Sequence, residues 1–329
     1  MEREITMVRF NNITDVPGVK VGHAEDGQAL TGCTVILTED GAGCGVDVRG
    51  SAPGTRETDA LDPMNAIQEV HAICLTGGSA YGLEAASGVM NYLEKQHIGF
   101  QVGEVKVPIV PGAVIFDLDV GDPKIRPDIE MGYAAVKNAT AGDFAQGNVG
   151  AGCGATVGKL AGPDKAMKAG LGSASVKGAD DLVVGAIVVV NAVGEVRDPE
   201  TNAILAGAYD WETSSYIQSV DFIKKELSSP AALGGNTTIG VVAMNAELTK
   251  AEAKKIAGIT HNALARTIHP VHTMFDGDTI FALGTGTKKY PVDYLGVLAA
   301  EAMEKAIVNA VKAAEPVGQL ESYSSLHEK

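Results

Sequence analysis

The chain alternates between apolar runs and short polar breaks, and the runs carry two different periods. "HAICLTGGSAYGLEAASGVMNYLEKQHIGF", from His71, reads as a strand, a Gly-Gly turn and a helix. Ser79 is placed to cap that helix, which runs to about Glu94. "GAIVVVNAVGEVRDPETN" reads as a buried strand that ends at a polar turn. From Glu195 to Gly235 the chain is polar. A short helix is predicted around Tyr216 to Leu227, with a break at Ser228, Ser229 and Pro230. Beyond the break, Thr237 to Met244 predicts a strand. Thr249 and Glu252 have the spacing of a capping box, at the head of a helix that runs to about Thr267. "HPVHTMFDGDT" reads as a loop, "TIFALGTG" as a second strand, and "PVDYLGVLAAEAMEKAIVNAVKAAE" as a long amphipathic helix. Strands and helices mixed in this way predict helices layered on sheet. There is no internal repeat and no low-complexity linker.

Composition narrows the picture. A chain of 329 residues, 45% hydrophobic, is long enough for one large core or two ordinary domains. Its 40 glycines are spread through apolar stretches, which points to tight turns and close backbone packing instead of disorder. A net charge of −15 argues against nucleic acid and anionic membranes as partners. The longest apolar run, "LVVGAIVVVNAVG" from Leu182, is too short to span a bilayer, and "MEREITMVRF" lacks the apolar core of a leader. Cys33, Cys44, Cys74 and Cys153 show no CxxC spacing, so a cytoplasmic protein with reduced thiols is expected.

Three stretches invite chemistry. "GNVGAGCGATVGKL" ends like a phosphate-binding loop, but Cys153 sits where the first glycine belongs and Leu160 replaces Ser or Thr. Lys159 is then either a surface lysine or one partly buried beside a glycine-packed stretch, where burial lowers its pKa and suits it to acid–base work. His269, His272, Asp276 and Asp278 contain the elements of a zinc site, but loop histidines with acidic neighbours are more often solvated or hydrogen-bonded. No metal and no cofactor are expected. Asn236-Thr237-Thr238 stands behind two glycines at the head of a strand. A threonine there is usually structural. It becomes a nucleophile if the chain is cut before it, because its own α-amine then serves as base, with a reference pKa of about 7.7–8.0.

Six stretches together resemble one family: "ITDVPGVKVGH", "TGCTVIL", "GVDVRGSAPGTRETDALDP", "LTGGSAYGLEAASGVM", "NTTIGVVAMNAELTKAEA" and "HPVHTMFDGDTIFALGTG". The resemblance is to the self-cleaving L-aminopeptidase/D-esterases, β-aminopeptidases and nylon-oligomer (6-aminohexanoate) endohydrolases, and it covers nearly the whole chain. It implies an α+β fold, a four-layer αββα sandwich of the kind seen in hydrolases with an N-terminal nucleophile. It also implies one domain over 1–329, cut between Asn236 and Thr237 into chains 1–236 and 237–329. In the nylon-oligomer branch the nucleophile is a threonine after an asparagine, as here; in the aminopeptidase branch it is serine. That second branch carries serine and glutamate where this chain has Asp276 and Asp278, so this chain is more similar to the nylon-oligomer branch. The family's catalytic lysine falls on Lys159 and its active-site asparagine on Asn191. A family tyrosine falls around Phe116, which has no phenol hydroxyl.

The resemblance therefore implies an amide or peptide hydrolase that works through an acyl-enzyme on Thr237, with Lys159, Asn191, Asp276 and Asp278 completing the site. Asp276 and Asp278 are expected to orient the amine and hydroxyl, and to hold a substrate ammonium. A small peptide with a free amino end, or a linear amide, is the expected substrate and a homotetramer of cut protomers the expected assembly. Glycine-rich apolar surface near "GAGCGATVG" is the expected contact between copies. Two other classes stay open: an acyltransferase of the ornithine acetyltransferase type, and a scaffold that never cuts itself.

Overall fold

The computed structural model describes residues 9–225 and 235–327. In chain order its layer-building elements are β1 (Lys20–Asp26), β2 (Thr31–Val48), β3 (Thr55–Arg56), β4 (Glu69–Thr76), α1 (Ala85–Lys95), β5 (Gly112–Val114) and α2 (Ile129–Lys137). They continue as β6 (Leu171–Lys177), β7 (Val183–Asn191), α3 (Ser219–Lys225), β8 (Thr237–Met244), α4 (Lys250–Thr267), β9 (Thr279–Gly284) and α5 (Val292–Lys312). The strands join in the order β6–β7–β8–β9–β2–β4–β5–β3, with β1 on the free side of β2. Pairs β8–β9 and β4–β5 are parallel, and the rest are antiparallel.

One long strand links two sheet layers. The first half of β2 pairs with β1 and β4; after an irregularity between Leu37 and Ala42, Gly43 to Val48 pairs with β9. The apolar residues then divide by strand period among three cores. In β7, Val184, Ala186, Val188 and Val190 face α4 and α5, while Val183, Ile187 and Val189 face the centre. Strands β8 and β9 alternate likewise, Val242 and Ile280 outward against Ile239 and Phe281 inward. In β4, Ala72 and Cys74 pack beneath α1 and α2, and Ile73 and Leu75 point to the centre. The result is helix, sheet, sheet, helix: the four-layer αββα arrangement. Strands buried on both faces read as continuous apolar runs, which is why "VVGAIVVV" shows no alternation.

Helix α5 lies close on the sheet because its buried face carries small residues, among them Ala299, Ala302, Ala306 and Ala310. Gly172 on β6 completes the fit, since a Cβ there would stand 2.2 Å from the Ala306 carbonyl oxygen. At the head of α4, Thr249 and Glu252 form the predicted capping box.

Some expectations change. Ser79 caps no helix: it has φ +53° and starts a 3-10 turn, Ser79–Glu84, so the α-helix begins only at Ala85. The stretch after Glu195 is less solvated than its polarity suggests. Glu195 is fully buried, bonded to Arg197 at 2.8 Å and to the Ser219 N–H at 3.0 Å. Residues 150–158 are buried within the chain itself, so "GAGCGATVG" offers no surface to another copy. The helix expected around Tyr216 to Leu227 runs from Ser219 to Lys225. The break at Ser228, Ser229 and Pro230 lies outside the described residues, as does most of the loop before Asn236. Among the described residues no helix is long and apolar enough to cross a membrane.

Candidate active site

Two strand ends create the site. Thr237 opens β8 and Asn191 closes β7, and the antiparallel register sets them opposite each other. The parallel neighbour β9 is entered through Asp276-Gly277-Asp278, and a bridge between Asn236 and Asp276 extends that pairing one step upstream. Sheet pairing alone thus collects Asn191, Asn236, Thr237, Asp276 and Asp278. Lys159 arrives from the turn after Gly158, which is left-handed at φ +76°.

The Asn236–Thr237 bond sits in a polarised setting. The Thr237 hydroxyl donates to the Asn236 carbonyl oxygen, and the Gly277 N–H donates to the same oxygen at 3.1 Å. A nucleophile and a backbone donor therefore converge on one carbonyl, the arrangement that stabilises charge as it builds on that oxygen. Attack by the hydroxyl on the Asn236 carbonyl carbon closes a five-membered ring, with little motion and no diffusing partner.

The next carbonyl upstream is held as firmly. Gly235 turns at φ +91°, which suits glycine alone, and its oxygen accepts from Lys159 Nζ at 3.2 Å and from Asn191 Nδ2 at 3.4 Å. The amine of Lys159 also donates to Asn191 Oδ1 at 2.7 Å and to Asn191 O at 3.3 Å. The Thr156 N–H donates to the same Oδ1 at 3.0 Å, and Nδ2 donates to the Phe116 carbonyl at 2.8 Å, so the amide orientation of Asn191 is set from both ends. Burial pulls the Lys159 amine down to about 8, against the opposing pull of Asp119, Asp276 and Asp117.

The two aspartates are built into the backbone. Asp278 accepts from the Thr238 N–H at 2.7 Å, from the His272 N–H at 3.0 Å and shares a 2.8 Å bond with His272 Nδ1. Asp276 accepts from the Thr273 N–H at 2.6 Å, and its own carbonyl takes the Ala52 N–H at 2.9 Å. Burial, reinforced by the charge of Asp278, raises the Asp276 carboxyl. His272 is thus a partner of Asp278, while His269 lies on a short strand opposite Glu195. Thr237 faces a pocket of about 230 Å³ walled by Pro53, Val114, Phe116 and Phe275. A larger cavity, about 870 Å³, also reaches Lys159 and is lined in part by Asp119, Asp164, Trp211 and Glu321.

All five residues singled out in the sequence, Thr237, Lys159, Asn191, Asp276 and Asp278, are brought together. Sequence reasoning missed the Gly277 and Thr156 N–H groups and the Phe116 carbonyl, and it read the loop histidines as solvated or hydrogen-bonded without naming Asp278 as the partner of His272. The first three are backbone groups without a side-chain signature.

Comparison with known proteins matches this architecture to a family. The chain matches peptidase family S58 over residues 11–323. It is 42% identical to an uncharacterized aminopeptidase of Mycobacterium tuberculosis, over 96% of this chain and 98% of the relative. It is 34% identical to a 6-aminohexanoate-oligomer endohydrolase of a Kocuria species, over 91% of this chain and 85% of the relative. Among solved structures, a Burkholderia β-aminopeptidase superposes with a TM-score of 0.69 at 24% identity, covering 97% of this chain and 93% of that one. The L-aminopeptidase D-Ala-esterase/amidase of Ochrobactrum anthropi, described as a variant of the Ntn hydrolase fold, gives 0.69 at 19% identity, covering 94% and 88%. These two likenesses bear on the fold. Family match, relatives and architecture agree: the chain belongs to peptidase family S58 and is a hydrolase of peptide or amide bonds.

Proposed function

We propose that this hydrolase works as one domain that cuts itself between Asn236 and Thr237 and then uses Thr237 as an N-terminal nucleophile. The observation that carries the reading is the Asn236 carbonyl, which receives both the Thr237 hydroxyl and the Gly277 N–H. In the first step the hydroxyl oxygen bonds to the Asn236 carbonyl carbon. The bond from that carbon to the Thr237 nitrogen breaks, and the nitrogen takes up the hydroxyl proton. The resulting ester is hydrolysed by water, which leaves a carboxylate on Asn236 and restores the hydroxyl beside a free amine.

In turnover that amine takes the hydroxyl proton as the oxygen bonds to a substrate amide carbon. The leaving amine departs with the proton. Water then attacks the acyl-enzyme with the Thr237 amine as base, the acid is released, and the hydroxyl is regained. Lys159, as a cation beside the new amine, keeps that amine neutral and ready to accept a proton. Once the new C-terminus moves off, the Lys159 and Asn191 donors now on the Gly235 carbonyl turn to the substrate oxygen. Asp278 anchors the Thr238 N–H and so holds the head of β8 in place.

The relatives' chemistry supports small peptides or linear amides as substrates, and we assign a cytoplasmic homotetramer as the working form. Acid quenching during turnover of an amide substrate tests the mechanism. The acyl mass should appear on the 237–329 chain and on Thr237 within it. An adduct on another residue, or hydrolysis by Thr237→Ala, would overturn the assignment.

A further inference from the structure

Resting on the proposed cut between Asn236 and Thr237, we propose that His272 is a positioning residue for that step. Its ring donates from Nδ1 to Asp278 and so clasps the loop 272–278, which keeps the Gly277 N–H on the Asn236 carbonyl. The loop carries the donor and lies against the nucleophile. Gly277 gives its N–H to the Asn236 oxygen at 3.1 Å, and a Cβ on it would stand 2.9 Å from the Thr237 hydroxyl oxygen. The two ends of the loop meet on one carboxylate oxygen: Asp278 Oδ2 accepts the His272 N–H at 3.0 Å and pairs with His272 Nδ1 at 2.8 Å. The other oxygen, Oδ1, accepts the Thr238 N–H at 2.7 Å. One carboxylate thus ties the start of the loop to the residue after the nucleophile, and turning it would shift the loop against the head of β8.

The surroundings hold the ring to this bond. His272 sits at φ +57°, a left-handed conformation uncommon outside glycine, and from it both the N–H and Nδ1 reach the same oxygen. The Nδ1 bond is the ring's one hydrogen bond among the described residues, since Nε2 is buried without a protein partner. Behind it His261 packs edge-on, with ring centres 4.8 Å apart and planes at 74°, and the Asp47 carbonyl holds His261 Nε2 at 3.0 Å. Burial pulls His261 down to about 4, so it backs His272 as an uncharged ring. The outer side of the loop is tied elsewhere, by the Ala52 N–H on the Asp276 carbonyl at 2.9 Å and the Arg49 N–H on the Asp278 carbonyl at 3.0 Å. Those bonds go to backbone oxygens and leave the Asp278 carboxylate to His272 and Thr238, so the loop should stay folded without the ring while its donor loses its aim.

The test uses two substitutions that both accept a left-handed backbone. His272→Gly removes the ring donor, and His272→Asn puts a side-chain amide donor at the place of Nδ1. Self-cleavage is followed from cell-free synthesis of the full chain by denaturing gel and intact mass, with melting read by circular dichroism to show that each variant is folded. His272→Gly should cut more slowly by about tenfold or more, since a misplacement of about 1 Å can cost about a hundredfold. His272→Asn should recover most of that loss. In the uncut Thr237→Ala chain, 15N shifts of the His272 ring should show a proton on Nδ1. If glycine leaves the chain unfolded, the Asn rate and the Nδ1 signal decide the matter. Cutting by folded His272→Gly at the wild-type rate, an Asn variant that is no faster than the Gly variant, or a bare Nδ1 would overturn the clasp and leave the cut standing. A wild-type chain that never cuts would overturn the reading beneath it.

Discussion

Lys159→Met removes a charge and three hydrogen bonds while keeping most of the side-chain volume. The lost donors are those to Asn191 Oδ1 at 2.7 Å, Asn191 O at 3.3 Å and Gly235 O at 3.2 Å. Loss of one preorganised donor at a developing oxyanion costs about 10²–10³-fold in rate, or about 2.7–4 kcal/mol, so kcat/KM should fall by that factor. The pH profile should change as well, because the amine of Lys159 sits at about 8. In the wild type, activity needs Lys159 charged and the Thr237 amine neutral. It should therefore fall above pH 8 as the lysine loses its proton. In Lys159→Met this alkaline limb should vanish. The acid limb should move up by about one unit, since no neighbouring cation then holds the Thr237 amine neutral. Lys159→Arg should keep the charge and carry the alkaline limb past the range of the assay. The measurement is kcat/KM against pH on fully cut enzyme, beside the rate of self-cleavage for each variant on a denaturing gel. An alkaline limb near pH 8 that persists in both variants, or a loss under tenfold in Lys159→Met, would refute this role.

Other outcomes follow from the same geometry. Asp278→Ala strands the Thr238 and His272 donors, at about 1–3 kcal/mol for each buried group left unpaired. Its thermal midpoint should drop and its processing slow at least a hundredfold, read by calorimetry and gel. Chelator treatment should leave activity unchanged; loss in EDTA with recovery on zinc would reassign His272 and the aspartates. Gly172→Val should be poorly folded, because its Cβ would stand 2.2 Å from the Ala306 carbonyl oxygen, and circular dichroism on heating reads this. Light scattering at micromolar concentration should give four protomer masses; a single protomer mass would remove the tetramer.

What the sequence made legible was local or periodic. The strand Thr237 to Met244 and the Thr249–Glu252 capping box have the predicted bounds, since each depends on neighbours a few residues away. Ser79 misled because the two glycines before it let the chain turn into a left-handed step, so its N–H goes to the Ile115 carbonyl and no α-helix starts there. Glu195 lies buried in a polar stretch because Arg197 pairs with its charge and the Ser219 N–H donates to it, partners that composition alone does not reveal. The donor to the Asn236 carbonyl was invisible for a different reason. Gly277 has no side chain to announce it, and only the parallel pairing of β8 with β9 sets its N–H there. The resemblance located Lys159 and Asn191 by position. The fold adds that their donors meet at Gly235, one carbonyl upstream of the bond proposed to break.

The measurement that bears most directly on the central claim is the intact mass of freshly purified protein, read with end sequencing of each species. The account predicts two chains, 1–236 and 237–329, the second beginning at Thr237, and one full-length, folded and inactive chain from Thr237→Ala. A new end at Thr238 would move the nucleophile by one residue, and a wild-type protein that stays whole while hydrolysing amides would contradict the account outright.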